Sequence, residues 1–173
     1  MPSTFDEDRS PKTRSDAGLD PREALWDAPV EVLRGAESVN RMIVRVFKEA
    51  RRELLMFVGR PMLGDSDVAD AFRDLQQRGV AIRQIVPSEF LDSGDDESRR
   101  YVDALLSSLA STGRRADQLP GKLVVVDGRI GLVSLTSQAG VGHQAVVMRQ
   151  RNMVLHLRAS FELHWDRSAP VDG

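Results

Sequence analysis

The 173-residue sequence contains no cysteine. It can therefore build no disulfide framework, no thiolate metal site and no cysteine nucleophile. No apolar run approaches the length of about 18 residues that a membrane-crossing helix needs. The opening residues, Met1-Pro2-Ser3-Thr4-Phe5-Asp6-Glu7-Asp8, lack the basic and apolar stretches of a secretory signal, so the expected location is the cytoplasm. Lysine is scarce: three of the 24 basic side chains are Lys and the rest Arg, a skew that points to a GC-rich genome and says little about binding. A one-signed charge is missing too, because the formal net charge is −2. Residues 28–173 hold 19 acidic and 20 basic side chains. Such a near-neutral domain lacks the basic field of a strong non-specific nucleic-acid binder.

What is present is a single-domain length with 41% hydrophobic residues. Residues 1–27 are rich in Asp, Ser, Pro and Arg and show no apolar period, and read as a disordered leader. The domain is expected over 28–168, with a tail at 169–173. Val30-Glu31-Val32-Leu33 reads as a strand ended by Gly35. A helix follows over 36–52, with Val39, Met42, Ile43, Val46, Phe47 and Ala50 on one stripe. Leu54 to Val58 is apolar on both faces, as a strand covered from both sides should be. Val68, Ala71, Phe72 and Leu75 mark a second helix that ends at Gly79. Val80 to Val86 is the next strand, and a third helix is expected over 96–110. Arg114 to Leu119 reads as an edge strand. Lys122–Val126 and Ile130–Leu135 are strands joined at Asp127-Gly128, a hairpin signal. His143–Arg149 is the last strand, and a helix over 151–165 uses Val154, Leu157, Phe161 and Trp165. The alternation predicts an α/β fold, a mixed sheet with helices on both faces. The small, polar stretch 136–142 reads as the most mobile loop of the domain.

Few side chains suggest chemistry. His156 and His164 lie about 12 Å apart on one helix, too far to share a metal ion. The acidic run Asp92-Ser93-Gly94-Asp95-Asp96-Glu97 lacks the spacing of a calcium loop and suits a helix start. Gly140-Val141-Gly142 opens no βα turn, and Ser134 has no nucleophile elbow around it. No metal or cofactor is implied.

One segment stands apart, Leu119-Pro120-Gly121-Lys122-Leu123-Val124-Val125-Val126-Asp127-Gly128. Its K-x4-D spacing resembles the second part of the H-x-K-x4-D motif of the phospholipase D superfamily, and the preceding β-α-β-α run resembles half of that fold. In that family the His attacks phosphorus, the Lys binds phosphate oxygens and the Asp sits in the turn. The match is incomplete. Pro120 occupies the His position, and the family's Gly-Ser falls on Ser134 and Leu135. Without an imidazole the covalent route has no first step, so the resemblance implies a catalytically dead member. A narrower resemblance lies in Arg114-Arg115-Ala116-Asp117-Gln118-Leu119-Pro120-Gly121-Lys122-Leu123, Val146-Val147-Met148-Arg149 and Phe161-Glu162-Leu163-His164-Trp165. These segments resemble the degenerate phospholipase-D-like domain of actinobacterial helix-turn-helix regulators, LuxR-type or with TrmB-like halves. The expectation is an effector domain without the helix-turn-helix.

The resulting reading is a non-enzymatic sensor or interaction module linked to transcriptional regulation. Its ligand-binding residues are expected to be Lys122, Asp127, Arg114, Arg149, Arg60 and Ser88, with Gly59 and Pro87 beside them. These cations would favour a small anionic or phosphorylated ligand, although each would also suit a surface ion pair. The expected partners are a second copy of the chain, and a helix-turn-helix regulator or other protein; no membrane and no direct nucleic-acid contact are expected. The competing reading is a residual phosphodiesterase or nuclease using His143, the one histidine of the sheet region.

Overall fold

The computed structural model describes residues 29–59, 66–92, 113–135 and 143–171. The leader, the helix expected over 96–110, the loop 136–142 and Arg60 lie outside the described residues.

Among the described residues, eight strands form one mixed sheet. They are β1 (Val30–Arg34), β2 (Glu53–Phe57), β3 (Ala81–Pro87), β4 (Gly113–Ala116), β5 (Leu123–Val126), β6 (Ile130–Ser134), β7 (Gln144–Met148) and β8 (Ala169–Pro170). Their order across the sheet is β1-β7-β6-β5-β2-β3-β4-β8. β2, β3 and β4 run parallel, and every other pair is antiparallel. The helices among the described residues are α1 (Ala36–Glu49), α2 (Ser66–Gln77), the single turn α3 (Ser88–Leu91) and α4 (Arg151–Arg167). The mixed α/β architecture read from the sequence is the one observed.

Strand pleating divides the apolar residues between two layers. Leu54 and Met56 of β2, with Val58 just after it, join Val124, Val126, Leu132 and Val147 beneath α1 and α2. Leu55 and Phe57 join Ile85, Leu123 and Val125 beneath α4. This is why Leu54 to Val58 reads as continuously apolar: all five are buried, on alternating sides. Burial of each such side chain contributes about 1.5–3 kcal/mol. The α1 stripe is confirmed, with Val39, Met42, Val46 and Phe47 buried. Helix α4 buries Val154 and Phe161 completely and is also held electrostatically. The Arg83 guanidinium lies 5.2 Å from the Phe161 ring centroid and 5.0 Å from that of Trp165, and bonds Glu162 at 2.9 Å. Arg158 pairs with Glu53 on β2.

Two local features differ from the sequence reading. The segment read as an edge strand from Arg114 is strand only as far as Ala116, and it is not the edge. Ala169 and Pro170, read as tail, pair with Arg115 and Arg114 and cover it. In the β3 core, Gln84 is 0% exposed, and neither of its side-chain polar atoms has a hydrogen-bond partner among the described residues.

Candidate functional site

The parallel strands β2, β3 and β4 end at the same edge of the sheet where antiparallel β5 begins. In open α/β sheets, ligands bind beyond the carboxyl ends of such strands. Gly59 follows β2, Ser88 follows β3, Asp117 follows β4, and Lys122 precedes β5. Ser134 closes β6 beside it, its backbone N–H donating to the Lys122 carbonyl at 3.1 Å. The Ser134 hydroxyl donates to the Gln144 carbonyl at 3.4 Å. The Ser88 hydroxyl donates to Asp117 Oδ1 at 3.0 Å.

Lys122 is held by shape. Its stem lies across Gly59, so that a Cβ at Gly59 would stand 2.2 Å from Lys122 Cγ and Cε. Only a glycine leaves room for this course. Gly121 supplies the turn before it, with φ of 130°, a region that favours glycine. The lysine is half-buried, and burial pushes the pKa of its ammonium below the ordinary value. A partly desolvated cation at the mouth of the parallel strands can receive an oxyanion.

The remaining expected ligand residues do not gather here. Asp127 stands five residues further along, at the opposite end of β5, about 16 Å away by the rise of a strand. It occupies the β5–β6 turn with φ of 53°, next to Gly128 with φ of 63°, as primed hairpin turns require. Its Oδ1 accepts the backbone N–H groups of Arg52 (2.8 Å) and Glu53 (2.9 Å), and its Oδ2 that of Arg51 (2.9 Å). Burial alone would raise its pKa, but the three amides and the charge of Arg52 together bring it below the ordinary carboxylate value. This carboxylate fastens the α1–β2 connection to the hairpin. Arg149 lies at that same far edge, beyond β7, and pairs with Glu31 at 3.6 Å. Arg114 points elsewhere again. Its Nη1 donates to the carbonyls of Trp165 (2.6 Å) and Ser168 (3.2 Å), and its guanidinium lies 4.8 Å from the Trp165 ring centroid. It closes the carboxyl end of α4, where a cation meets the last carbonyls of the helix favourably. His143 is exposed at the start of β7, on the Lys122 edge. His164 bonds the Ser160 carbonyl at 2.8 Å, and its ring meets Phe57 edge-on.

The sequence reading missed Asp117 and the part played by Gly59 as the bed of the Lys122 stem. An isolated Gly-Arg-Pro after an apolar strand signals a turn and nothing about a side chain 63 positions later. Among the described residues, no three His, Asp or Glu side chains gather as a metal site, and no helix is long and apolar enough to cross a membrane.

No protein-family model matches the sequence, and no curated protein matches it. Solved structures do match in shape. TrmBL2, described as an archaeal chromatin protein with a novel mode of DNA binding, aligns over 91% of this chain with a TM-score of 0.60 and 18% identity. This chain spans 57% of that one. Nuc from Salmonella typhimurium, a phospholipase D family member, aligns over 83% of this chain and 98% of its own, with a TM-score of 0.66 and 15% identity. NucT from Helicobacter pylori aligns over 82% and 98%, with a TM-score of 0.64 and 8% identity. Likeness at these identities establishes the fold, and the fold is phospholipase-D-like.

Proposed function

We propose that this chain is a non-catalytic effector or interaction domain linked to transcriptional regulation, with a small anionic ligand or a partner protein engaging the Lys122 edge. One observation carries the reading. Pro120 stands two residues before Lys122, where the phospholipase D motif has its nucleophile, and proline has neither a nucleophilic atom nor a proton to give. What persists is the phosphate-holding half of the motif, Lys122, seated in the trough over Gly59. Similarity to TrmBL2 over 91% of the chain supports the regulatory setting. The near-neutral charge of residues 28–173 argues against direct capture of a duplex. The domain pairs with a second copy of itself. Val30 and Val32 are 47% and 54% exposed on edge strand β1, an unusual place for bare valines. Analytical ultracentrifugation at micromolar concentration should show a species of twice the 19.2 kDa chain mass, and a single 19 kDa species throughout a dilution series would refute pairing.

The test of the main reading is hydrolysis of bis(p-nitrophenyl) phosphate and of plasmid DNA by the purified chain, with and without divalent cations. No turnover above buffer is expected. Turnover that co-purifies with the chain and disappears in Lys122→Ala would establish the enzymatic reading instead. The competing view, a residual phosphodiesterase or nuclease, draws on the likeness to Nuc and on exposed His143 at the same edge; loss of that turnover in His143→Ala would identify its base.

A further inference from the structure

At the edge of the sheet opposite Lys122, a cavity of about 480 Å³ opens between the end of α1, the β5–β6 turn and the β7–α4 connection. Four arginines line it, Arg45, Arg129, Arg149 and Arg151, against two carboxylates, Glu49 and Asp127. Both carboxylates are engaged. Glu49 bonds Arg45 at 2.7 Å, and Asp127 receives the amides of residues 51 to 53. Arg149 is held against Glu31 at 3.6 Å. Arg129 and Arg151 are exposed and make no ion pair among the described residues.

The backbone adds to this charge. Helix α4 begins at Arg151, a cavity residue. Its cap residue, Gln150, makes no side-chain bond to the first turn, and that turn holds no acid. The positive end of the helix dipole therefore borders the same opening. Two guanidinium forks with no ion pair among the described residues, two further arginines and a helix start without a side-chain cap line one concavity. Its volume falls within the range of about 300–1,000 Å³ typical of small-molecule sites. Planar guanidinium groups arriving from separate elements match an oxyanion with several acceptor oxygens.

We propose that this cavity binds a phosphate-bearing small molecule of nucleotide size. The site is separate from the Lys122 edge and stands or falls independently of the function proposed above.

The experiment titrates the full ¹⁵N-labelled chain with AMP at constant ionic strength, beside inorganic phosphate and sulfate, and repeats the titration on Lys122→Ala and on the Arg129→Gln/Arg151→Gln double variant. Saturable AMP binding is expected, with amide shifts at Gly128, Arg129, Arg151 and Asn152. Each charge-assisted arginine contact contributes about tenfold in affinity, so the double variant should bind about a hundredfold more weakly. Lys122→Ala should bind as the parent chain does. Both arginines are exposed, so the double variant should keep its fold; if it does not, the shift map of the parent chain still decides. Absence of saturable binding overturns the proposal, as do shifts centred on Lys122 and Ser134 or an unchanged affinity in a folded double variant. Sulfate binding as tightly as AMP would reduce the cavity to a general anion site and overturn the nucleotide assignment. Binding of a DNA duplex alone, steeply weakened by salt, would overturn it in favour of a nucleic-acid surface.

Discussion

Asp127 offers the sharpest perturbation, because one carboxylate fastens two distant pieces of chain. Its two oxygens accept three consecutive backbone N–H groups at 2.8–2.9 Å, while its own N–H donates to the Glu53 carbonyl at 3.0 Å. In Asp127→Ala all three side-chain bonds are lost. The amides of the exposed residues Arg51 and Arg52 regain water, so the loss is about 0.5–1 kcal/mol per bond rather than the larger value for a buried group. Alanine must also adopt φ near 53°, which costs about 1 kcal/mol more. The expected total is about 2.5–4 kcal/mol. Asp127→Gly removes the backbone strain and should be milder than Ala by about 1 kcal/mol. Asp127→Asn tolerates the conformation and keeps one acceptor oxygen, so it should cost about 1–2 kcal/mol. The assay is urea denaturation with unchanged slope. The pH dependence gives an independent check. The folded-state pKa of Asp127 lies below its unfolded value, so its stabilisation is complete above the unfolded pKa and is lost as pH falls through the folded one. The difference between parent chain and Asp127→Asn should therefore shrink from about pH 4 downward. An alanine variant within about 0.5 kcal/mol of the parent, outside the range expected of a lost buried or capping interaction, would refute the reasoning. So would a gap that stays constant down to the acid limit of folding.

Three further outcomes follow from the described geometry. Gln84→Met should stabilise the domain by about 1–2 kcal/mol, because a wholly buried amide without a partner among the described residues is exchanged for an apolar side chain of similar volume; thermal melting checks this, and a lower melting temperature would mean that the amide is solvated or bonded in solution. Gly59→Ala should destabilise the parent chain but be nearly neutral in a Lys122→Ala background, since the clash is with that one stem; equal costs in both backgrounds would separate the two residues. Lys122→Met should be neutral or stabilising at pH 7, because burial lowers the lysine pKa and the cost of its charge is present below that pKa and fades as pH rises towards the unfolded value; a large loss of stability at pH 7, narrowing only at acid pH, would contradict it.

Much of the scaffold is legible in the sequence because local chemistry and burial agree there. The α1 stripe, the helix-ending Gly79 with φ of 70° and the Asp127-Gly128 turn each carry their own local reason. The doubly apolar run Leu54–Val58 announces a strand with cover on both sides, and the two layers beneath α1–α2 and α4 supply it. What is not legible depends on contacts between segments far apart in sequence. Nothing in Arg114 or its neighbours distinguishes a ligand-binding guanidinium from one that closes a helix more than 50 residues later. Gln84 sits in an apolar strand where alternation gives no warning that a polar side chain is enclosed. The closing pair Ala169–Pro170 has no strand pattern of its own and forms because β4 leaves an edge to cover.

The K-x4-D motif shows how a spacing can be read correctly as a fold signal and too loosely as a site. A lysine and an aspartate separated by four strand residues cannot both reach one ligand, because the strand between them holds them about 16 Å apart. The motif therefore joins two tasks. Lys122 faces the edge where the parallel strands end, and Asp127 secures the opposite end of the same strand by gathering the amides of residues 51 to 53. In the reading proposed above, only the first task needs a reactive partner, and this sequence has Pro120 two residues before Lys122. The second is a folding task that persists with or without chemistry at the other end. The same separation sorts the arginines that the sequence groups together: Arg149 belongs to the Asp127 end, where Arg129 and Arg151 join it around a cavity, and Arg114 belongs to neither. A substrate-like ligand that depends on Lys122 and an anion that depends on Arg129 and Arg151 would thus be held at opposite ends of β5. Any coupling between them would run through one short, fully buried strand whose far turn is anchored to the α1–β2 connection by a single carboxylate.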